Sequence, residues 1–173
     1  SQAEHDELAS SVLVTTSESI AKSVRMEVEK QANRQPRKDI ILKSLADYGA
    51  IIIVDNLDSA AKVVNRIAPE HLELCIEEPF AFLGFIKNAG AIFLGNYSTE
   101  SLGDYIAGPN HVLPTSGTAR FFSPLSVSDF TKKSSIISYT KRGLEKVRDD
   151  VIIFAESEGL KAHADAVRVR FEE

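Results

Sequence analysis

The chain contains 173 residues, of which 43% are hydrophobic and 26% charged, a composition that excludes disordered, collagen-like and coiled-coil proteins. The 25 acidic and 20 basic residues give a formal charge of −5, and no run of Lys or Arg exceeds two residues, so we expect no nucleic-acid binding. The apolar stretches are shorter than the roughly 20 residues that cross a bilayer, and the first ten residues show no basic region followed by an apolar core, so we expect neither a signal peptide nor membrane contact. The single cysteine, Cys75, cannot form an internal disulfide, which favours a cytoplasmic location.

Alternating strand-like and helix-like segments predict a three-layer α/β/α domain with a mostly parallel, incomplete Rossmann-like sheet. The β-branched and apolar segments predicted as strands are, in chain order, 11–16, 50–54, 72–76 and 91–94. The segments with helical spacing of apolar residues are 17–33, 36–48, 58–67 and 79–86. Ser17 is expected to cap the first helix, and Gly49 to end the second. The short connections imply parallel neighbouring strands with right-handed crossovers.

The sequence changes character after Leu94. Residues 95–128 contain four glycines and three prolines, and long loops on a rigid α/β scaffold usually carry function. The segments predicted to follow are one short strand and two helices, at 135–139, 141–157 and 158–171. We therefore divide the chain into an α/β domain, 1–128, with most of the motifs, and a helical C-terminal tail, 129–173. The apolar stripes of the tail must pack against that domain or against another subunit.

Two short motifs in the first domain combine polar residues that could bind a metal or move a proton. Gln2 and His5 are three residues apart, so a helix would place them on one face, where imidazole is a standard zinc ligand and an amide oxygen an unusual one. A solvated terminus explains the same spacing. Glu70 and His71 form a candidate acid–base pair, although neighbouring side chains of an extended chain point in opposite directions. A solvated corner between helix and strand is the alternative.

Two further motifs lie in the loop-rich segment and in the tail. Asp104 and His111 stand on either side of a Gly-Pro pair that restricts the loop shape, which suits a ligand site. Glu158 and His163 lie near the start of the last predicted helix, where the helix dipole alone would favour Glu158. Together, one Gln, one Asp and two His could supply four N/O ligands to zinc, yet no CxxC, HExxH or dinucleotide-binding motif is present.

The same segments resemble the histidinol dehydrogenase family. The matching strings, in order, are SQAEHD (1–6), APEHLEL (68–74), NAGAIFLGNYSTESLGDYIAGPNHVLPT (88–115), SDFTKK (128–133) and SEGLKAHADAVRVR (157–170). The resemblance spans the whole chain. It implies a zinc-dependent homodimer that oxidises L-histidinol to L-histidine, through an aldehyde and with two NAD molecules, in histidine biosynthesis. It also implies that the active site draws residues from both subunits, because the C-terminal tail is exchanged.

The resemblance assigns roles to the candidate residues. The zinc ligands that it implies are Gln2, His5, Asp104 and His163, of which His163 would reach the site of the partner subunit. His71 would take the alcohol proton as a general base, and Glu70 would activate the water that attacks the aldehyde. The residues that it implies as substrate contacts are Gln2, His5, His71, Asp104, His111, Glu158 and His163. The contact of Glu158 would be with the substrate amino group.

The resemblance covers only the C-terminal part of a longer family protein, and the half with most NAD-binding residues is absent. Since the chain begins at Ser1 and its only methionine is Met26, we expect a processed product, an expression product or a piece of a longer protein. This chain alone is then expected to be incomplete for catalysis, with the missing half as a required partner. The alternatives are a zinc- or imidazole-binding module without redox activity, and a zinc hydrolase in which a similar site activates water.

Overall fold

The computed structural model describes residues 1–172. The strands, β1 to β4, are Val12–Thr15, Ala50–Ile53, His71–Leu74 and Ala91–Leu94. The α-helices, α1 to α8, are Gln2–His5, Glu18–Ala32, Lys38–Tyr48, Leu57–Ile67, Pro79–Phe82, Glu100–Tyr105, Lys141–Ser157 and Lys161–Arg168. Short 3-10 helices cover Leu83–Phe85, Thr118–Arg120 and Val127–Phe130. Among residues 1–172, no helix combines the length and the apolar character needed to cross a membrane.

Local side-chain chemistry explains where the longer helices begin and end. The Ser17 hydroxyl accepts a hydrogen bond of 3.3 Å from the Ile20 amide, so the predicted cap of α2 is confirmed. Helix α3 ends at Gly49 as predicted, although the φ of Gly49 is −79° rather than left-handed. Glycine is needed there because an added Cβ would lie 2.5 Å from the Leu45 carbonyl oxygen. These helix ends depend on contacts within four residues, which is why the sequence alone could indicate them.

The predicted mixed α/β architecture with parallel strands is confirmed. Strand β1 pairs with β2 in a parallel register of Val12 with Ala50, and β3 pairs with β4 in a parallel register of His71 with Ala91. The strands form two separate two-stranded sheets within the described chain, where the prediction placed them in one sheet. Each pair is joined through helices, as parallel pairing requires.

One apolar core connects the two strand pairs. Its buried members are Ala61 and Val64 of α4, Leu72 and Leu74 of β3, and Phe82 of α5. Val14 of β1 packs against this cluster, as do Ile92 and Leu94 of β4. The hydrophobic effect, about 25 cal/mol per Å² of buried apolar surface, therefore holds together two strand pairs that share no hydrogen-bonded ladder.

The prediction of a strand at 135–139 is wrong. Residues 131–140 form neither helix nor strand, and their side chains are exposed, with Ile136 at 93%. The β-branched residues of this segment favour an extended chain, but a strand also needs a neighbour to receive its backbone hydrogen bonds. None of strands β1 to β4 pairs with it.

The chain divides into two compact units. The first is Ser1–Phe130, and the second begins at Thr131. The first unit contains all four strands and helices α1 to α6. In the second unit, α7 and α8 pack against each other, and Gly159, with φ +74°, turns the chain between them.

Candidate functional site

Helix α1 carries Gln2 and His5 and depends on packing for its place. It has four residues, and so short a helix does not persist alone in water. Ala3 is buried in a cluster with Ala32 of α2 and Ile41 of α3, and α1 packs along α3. This apolar contact fixes the half-buried Gln2 and the exposed His5 at the surface of the first unit.

Helix α6 carries two carboxylates, Glu100 and Asp104, within a segment that the sequence analysis treated as a loop. Residues four apart are neighbours on a helix surface, so the two side chains share one face. Gly95 directly follows β4 and has φ +84°, a left-handed conformation that favours glycine. This turn leads the chain from the end of β4 to the start of α6.

Three side chains place potential metal ligands together. One donor atom each of His5, Glu100 and Asp104 lies within 4.8 Å of the other two. His5 Nε2 is 4.0 Å from Glu100 Oε1, and the Glu100 side chain is only 12% exposed. Zinc accepts imidazole nitrogen and carboxylate oxygen, so this donor set fits a zinc ion. Two of its members, His5 and Asp104, are ligands that the family resemblance implies.

His71 lies beside this cluster, and its ring is mostly buried. Its Nε2 is 3.8 Å from Asp104 Oδ1, which is too long for a hydrogen bond, and its side chain is 13% exposed. Neither Nδ1 nor Nε2 makes a hydrogen bond with any described residue. Buried polar atoms in proteins are nearly always paired, so an orphaned imidazole indicates a group that meets a ligand. Phe93 of β4 lies 6.0 Å away, ring centroid to ring centroid, and forms one wall.

Glu70 stands at a tight corner just before His71. The corner begins at Ala68, a buried residue with φ +52°, which ends α4 and turns the chain into β3. The Glu70 carbonyl accepts a hydrogen bond of 2.8 Å from the Ala91 amide. A Cβ on Gly90 would approach that carbonyl oxygen to 2.5 Å, so glycine is required for the two chains to lie this close. The Glu70 side chain is half-buried at this corner.

The remaining predicted residues are His111 in the first unit and Glu158 and His163 in the second. His111 is exposed on the loop after α6, where the Val112 amide donates 2.8 Å to Asn110 Oδ1. Glu158 and His163 are exposed residues of the second unit. Glu158 ends α7 and does not begin the last helix, so the expectation based on a helix N-terminus is wrong. His163 lies in α8.

Sequence analysis missed Glu100. The sequence did contain a sign that Glu100 could join Asp104 in a site. The two residues are four apart in ESLGD and would share a face if that segment were helical. The glycines and prolines that follow led to the prediction of a loop. The contact with His5, 95 positions away along the chain, arises only from the fold.

Known protein sequences are similar to this chain over nearly its whole length. Residues 1–171 match a family model described as "Histidinol dehydrogenase". A histidinol dehydrogenase of Caldanaerobacter subterraneus subsp. tengcongensis is 63% identical over 171 residues, which cover 99% of this chain and 40% of the relative. One from Bacillus cereus is 58% identical over 173 residues, or 100% of this chain and 40% of the relative. The chain therefore spans about 40% of the length of these curated relatives.

A solved structure agrees with these sequence matches. The crystal structure of histidinol dehydrogenase from Elizabethkingia anophelis is similar to this chain with a TM-score of 0.86 and 40% sequence identity. The similarity covers 98% of this chain and 39% of that one. At this identity the likeness extends beyond the bare fold.

Proposed function

This chain belongs to the histidinol dehydrogenase family, and from this premise we propose that it supplies the metal-binding and acid–base part of an enzyme that oxidises L-histidinol to L-histidine. One observation carries the proposal: the orphaned imidazole of His71 lies beside the donor cluster of His5, Glu100 and Asp104. Oxidation of an alcohol requires a base for the hydroxyl proton, and a base beside a metal site suits that task. The activity is proposed for the whole protein, of which this chain is a part.

We assign the zinc ligands to Gln2, His5 and Asp104, joined by the partner subunit's His163. The closeness of His5 and Asp104 donor atoms supports this set, and the nearby Glu100 carboxylate adds a second negative charge that favours a cation. When bound, zinc would hold and polarise the imidazole and amine of the substrate.

Two residues would handle protons. His71 would take the proton of the substrate hydroxyl on Nε2, the ring nitrogen that lies 3.8 Å from Asp104 Oδ1 of the donor cluster. In the second oxidation, Glu70 would remove a proton from the water that adds to the aldehyde carbon. Positioned general bases contribute about 10²- to 10⁴-fold to a rate. Glu158 and His111 would contact the substrate, Glu158 through the substrate amino group.

NAD is the hydride acceptor that the family resemblance implies. The sequence contains no glycine-rich dinucleotide motif. No residue of this chain is therefore assigned to NAD. The proposal places that function in the part of the protein that this chain does not cover.

We further propose a homodimer in which the C-terminal tail is exchanged. The second unit supports this, because apolar side chains such as Ile137 and Phe154 are exposed in the chain. Several large apolar side chains left exposed in one unit favour an interaction site there. Exchange would bring the tail residues Glu158 and His163 to the site of the partner subunit.

The test is made on the protein in its natural length. We expect about one zinc per chain by elemental analysis, and L-histidinol-dependent reduction of NAD that chelation abolishes. Glu70→Gln should slow formation of L-histidine from the aldehyde by about 10²-fold or more while sparing oxidation of the alcohol. Glu77→Gln, an exposed glutamate on the loop after β3, is the matched control and should change neither step. Equal loss of both steps in Glu70→Gln contradicts its role with water.

A zinc- or imidazole-binding module without redox activity is the second candidate. The absence of a dinucleotide motif from this sequence favours it. Zinc and L-histidinol bound tightly by the natural protein, with no NAD reduced at any pH, would establish the module and contradict the dehydrogenase.

A further inference from the structure

We infer that Glu73 is a positioning residue of this site, which fastens helix α6 to strand β3 and so sets Glu100 and Asp104 relative to His71. The inference rests on the proposed function, because it concerns the geometry of the proposed zinc site. The hydrogen bond of Glu73 is made to the backbone of α6 and not to a proposed ligand atom.

The two faces of β3 differ in what they contact. Leu72 and Leu74 point into the apolar core, where they are buried. Successive side chains of a strand alternate, so His71 and Glu73 share the opposite face. Phe93 of β4 lies next to Glu73 in the parallel register, and its ring lies near that of His71. Helix α6 packs against this outer face of the β3–β4 pair, which is made of His71, Glu73 and Phe93.

Helix α6 packs very closely against this outer face. A Cβ at Gly103 would lie 2.7 Å from both Cε1 and Cζ of the Phe93 ring. Contacts that short do not occur, so the backbone of α6 approaches the aromatic ring as only glycine permits. One residue later, Asp104 Oδ1 lies 3.8 Å from His71 Nε2. Steric fit against the Phe93 ring therefore holds the middle of α6. Steric fit alone would still let the helix slide or rotate over this flat ring.

Glu73 fixes the beginning of the helix. The first amides of a helix lack partners within it, and the Thr99 side chain, at the cap position of α6, makes no capping hydrogen bond. Instead, Glu73 Oε1 accepts a hydrogen bond of 2.9 Å from the Glu100 amide. A carboxylate is favoured at a helix N-terminus by the helix dipole, and here it comes from a neighbouring strand. A six-residue helix depends on such contacts, because alone it would not form.

The consequence reaches the donor atoms through Glu100. Its amide is held by Glu73, while its side chain accepts a hydrogen bond of 2.8 Å from the Ser1 hydroxyl and lies near His5. Glu100 therefore links β3 to α1, the helix that carries His5. Loss of the Glu73 carboxylate would release the start of α6 and change the spacing of His5, Glu100 and Asp104 together.

The experiment compares zinc affinity in variants of the natural-length protein, measured by competition with a chelator in the absence of substrate. Glu73→Ala should weaken zinc binding by about 10- to 100-fold, the range for residues that orient metal ligands. Glu73→Gln keeps an acceptor oxygen and should remain closer to wild type than Glu73→Ala. Glu77→Ala removes an exposed glutamate four residues away and should leave the affinity unchanged.

A second readout follows α6 directly. Amide hydrogen exchange across Glu100–Tyr105 should become faster in Glu73→Ala, while α4 keeps its protection. If Glu73→Ala does not fold, Glu73→Lys replaces it, since an ammonium group cannot accept the Glu100 hydrogen bond and the same loss is expected.

The possible results test the role of Glu73 separately from the proposed function. Wild-type zinc affinity in Glu73→Ala, or the same weakening in Glu77→Ala, overturns the role of Glu73. Equal losses in Glu73→Gln and Glu73→Ala also overturn it, because the acceptor oxygen would then be irrelevant. A wild-type protein that binds no zinc and oxidises no L-histidinol contradicts the proposed function instead, and that result is read before any variant is compared.

Discussion

The first unit, Ser1–Phe130, and the second unit, which begins at Thr131, differ in what they do with apolar side chains. The first unit buries Val64, Leu72 and Phe82 in one core. In the second unit, the 17-residue helix α7 has no buried residue, and Ile153 and Phe154 are 63% and 72% exposed. The first unit therefore has an apolar core, whereas large apolar side chains of the second unit remain exposed.

This difference separates two ways of building a site. The donors of His5, Glu100 and Asp104 come together within the first unit because contacts inside that unit fix α1 and α6, the helices that carry them. Among the described residues of the second unit, 131–172, no comparable core cluster is found, and many of its large apolar side chains are exposed. Tail exchange between subunits, as proposed, would cover such side chains. The following predictions test the contrast, from the largest expected effect to the smallest.

The largest effect is expected from mixing two inactive variants. His5→Ala and His163→Ala should each lose zinc and essentially all L-histidinol-dependent NAD reduction. If the tail is exchanged, a mixed dimer has one site with both residues intact and one with neither, so equal mixing after subunit exchange should restore about a quarter of wild-type activity. NAD reduction before and after mixing measures this. No recovery, with mixed dimers demonstrated, would mean that His163 does not act across subunits.

His71→Asn is expected to have the next largest effect. It removes the general base without removing a proposed zinc ligand, so kcat/KM for L-histidinol should fall by about 10²- to 10⁴-fold. Zinc content and melting temperature should stay near wild type, which separates this variant from His5→Ala. Activity within a fewfold of wild type would exclude His71 as the base.

Truncation of apolar side chains should affect the two units differently. Leu72→Ala leaves a cavity in the core of the first unit and should lower the free energy of unfolding by about 2–5 kcal/mol in a urea titration. Phe154→Ala should cost less than about 0.5 kcal/mol at protein concentrations where the chain is monomeric, because the side chain is exposed there. A larger cost that appears only at high concentration would locate Phe154 in the dimer interface. A large cost at every concentration would contradict the contrast between the units.

The smallest effect concerns an ion-pair cluster on α8. The hydrogen bond from Lys161 and, as a smaller cause, that from Arg168 hold the pKa of the Asp165 carboxyl below its ordinary value. A lowered folded-state pKa stabilises the protein at neutral pH, and this stabilisation disappears as the pH falls below the unfolded value of about 3.9 and through the folded one. Asp165→Asn should therefore melt slightly below wild type at pH 7 and together with it at the lowest pH, as followed by circular dichroism. A difference that grows on acidification would contradict this sign.

Helix ends and strand direction were open to prediction because their causes are local. The Ser17 cap, the end of α3 at Gly49 and the bounds of α7 follow from contacts within one helical turn. Parallel pairing followed from short connections that contain a helix. The strand predicted at 135–139 failed because a strand requires a distant neighbour, which local propensity does not reveal.

The candidate residues divide in the same way. From spacing alone, Gln2 and His5 could belong to a solvated terminus, and Glu70 and His71 to a solvated corner. The family resemblance gave these residues roles. Glu100 was missed because its importance lies in contacts with Ser1 and His5, which are nearly a hundred positions away. Glu73 was missed because a strand residue that caps a helix has no signature in either segment.

The amino-acid order was sufficient to establish the α/β class, the helical tail and the family, since these depend on periodicity, composition and motifs that each lie within a short stretch. The tertiary structure decided which of those motifs meet. It placed α1 against α2 and α3 through Ala3, and α6 against β3 and β4 through Gly103 and Glu73. The reason is physical: a ligand cluster needs donor atoms within a few ångströms, and for segments far apart along the chain that closeness comes from tertiary contacts, here apolar burial for α1 and close packing with a hydrogen bond for α6.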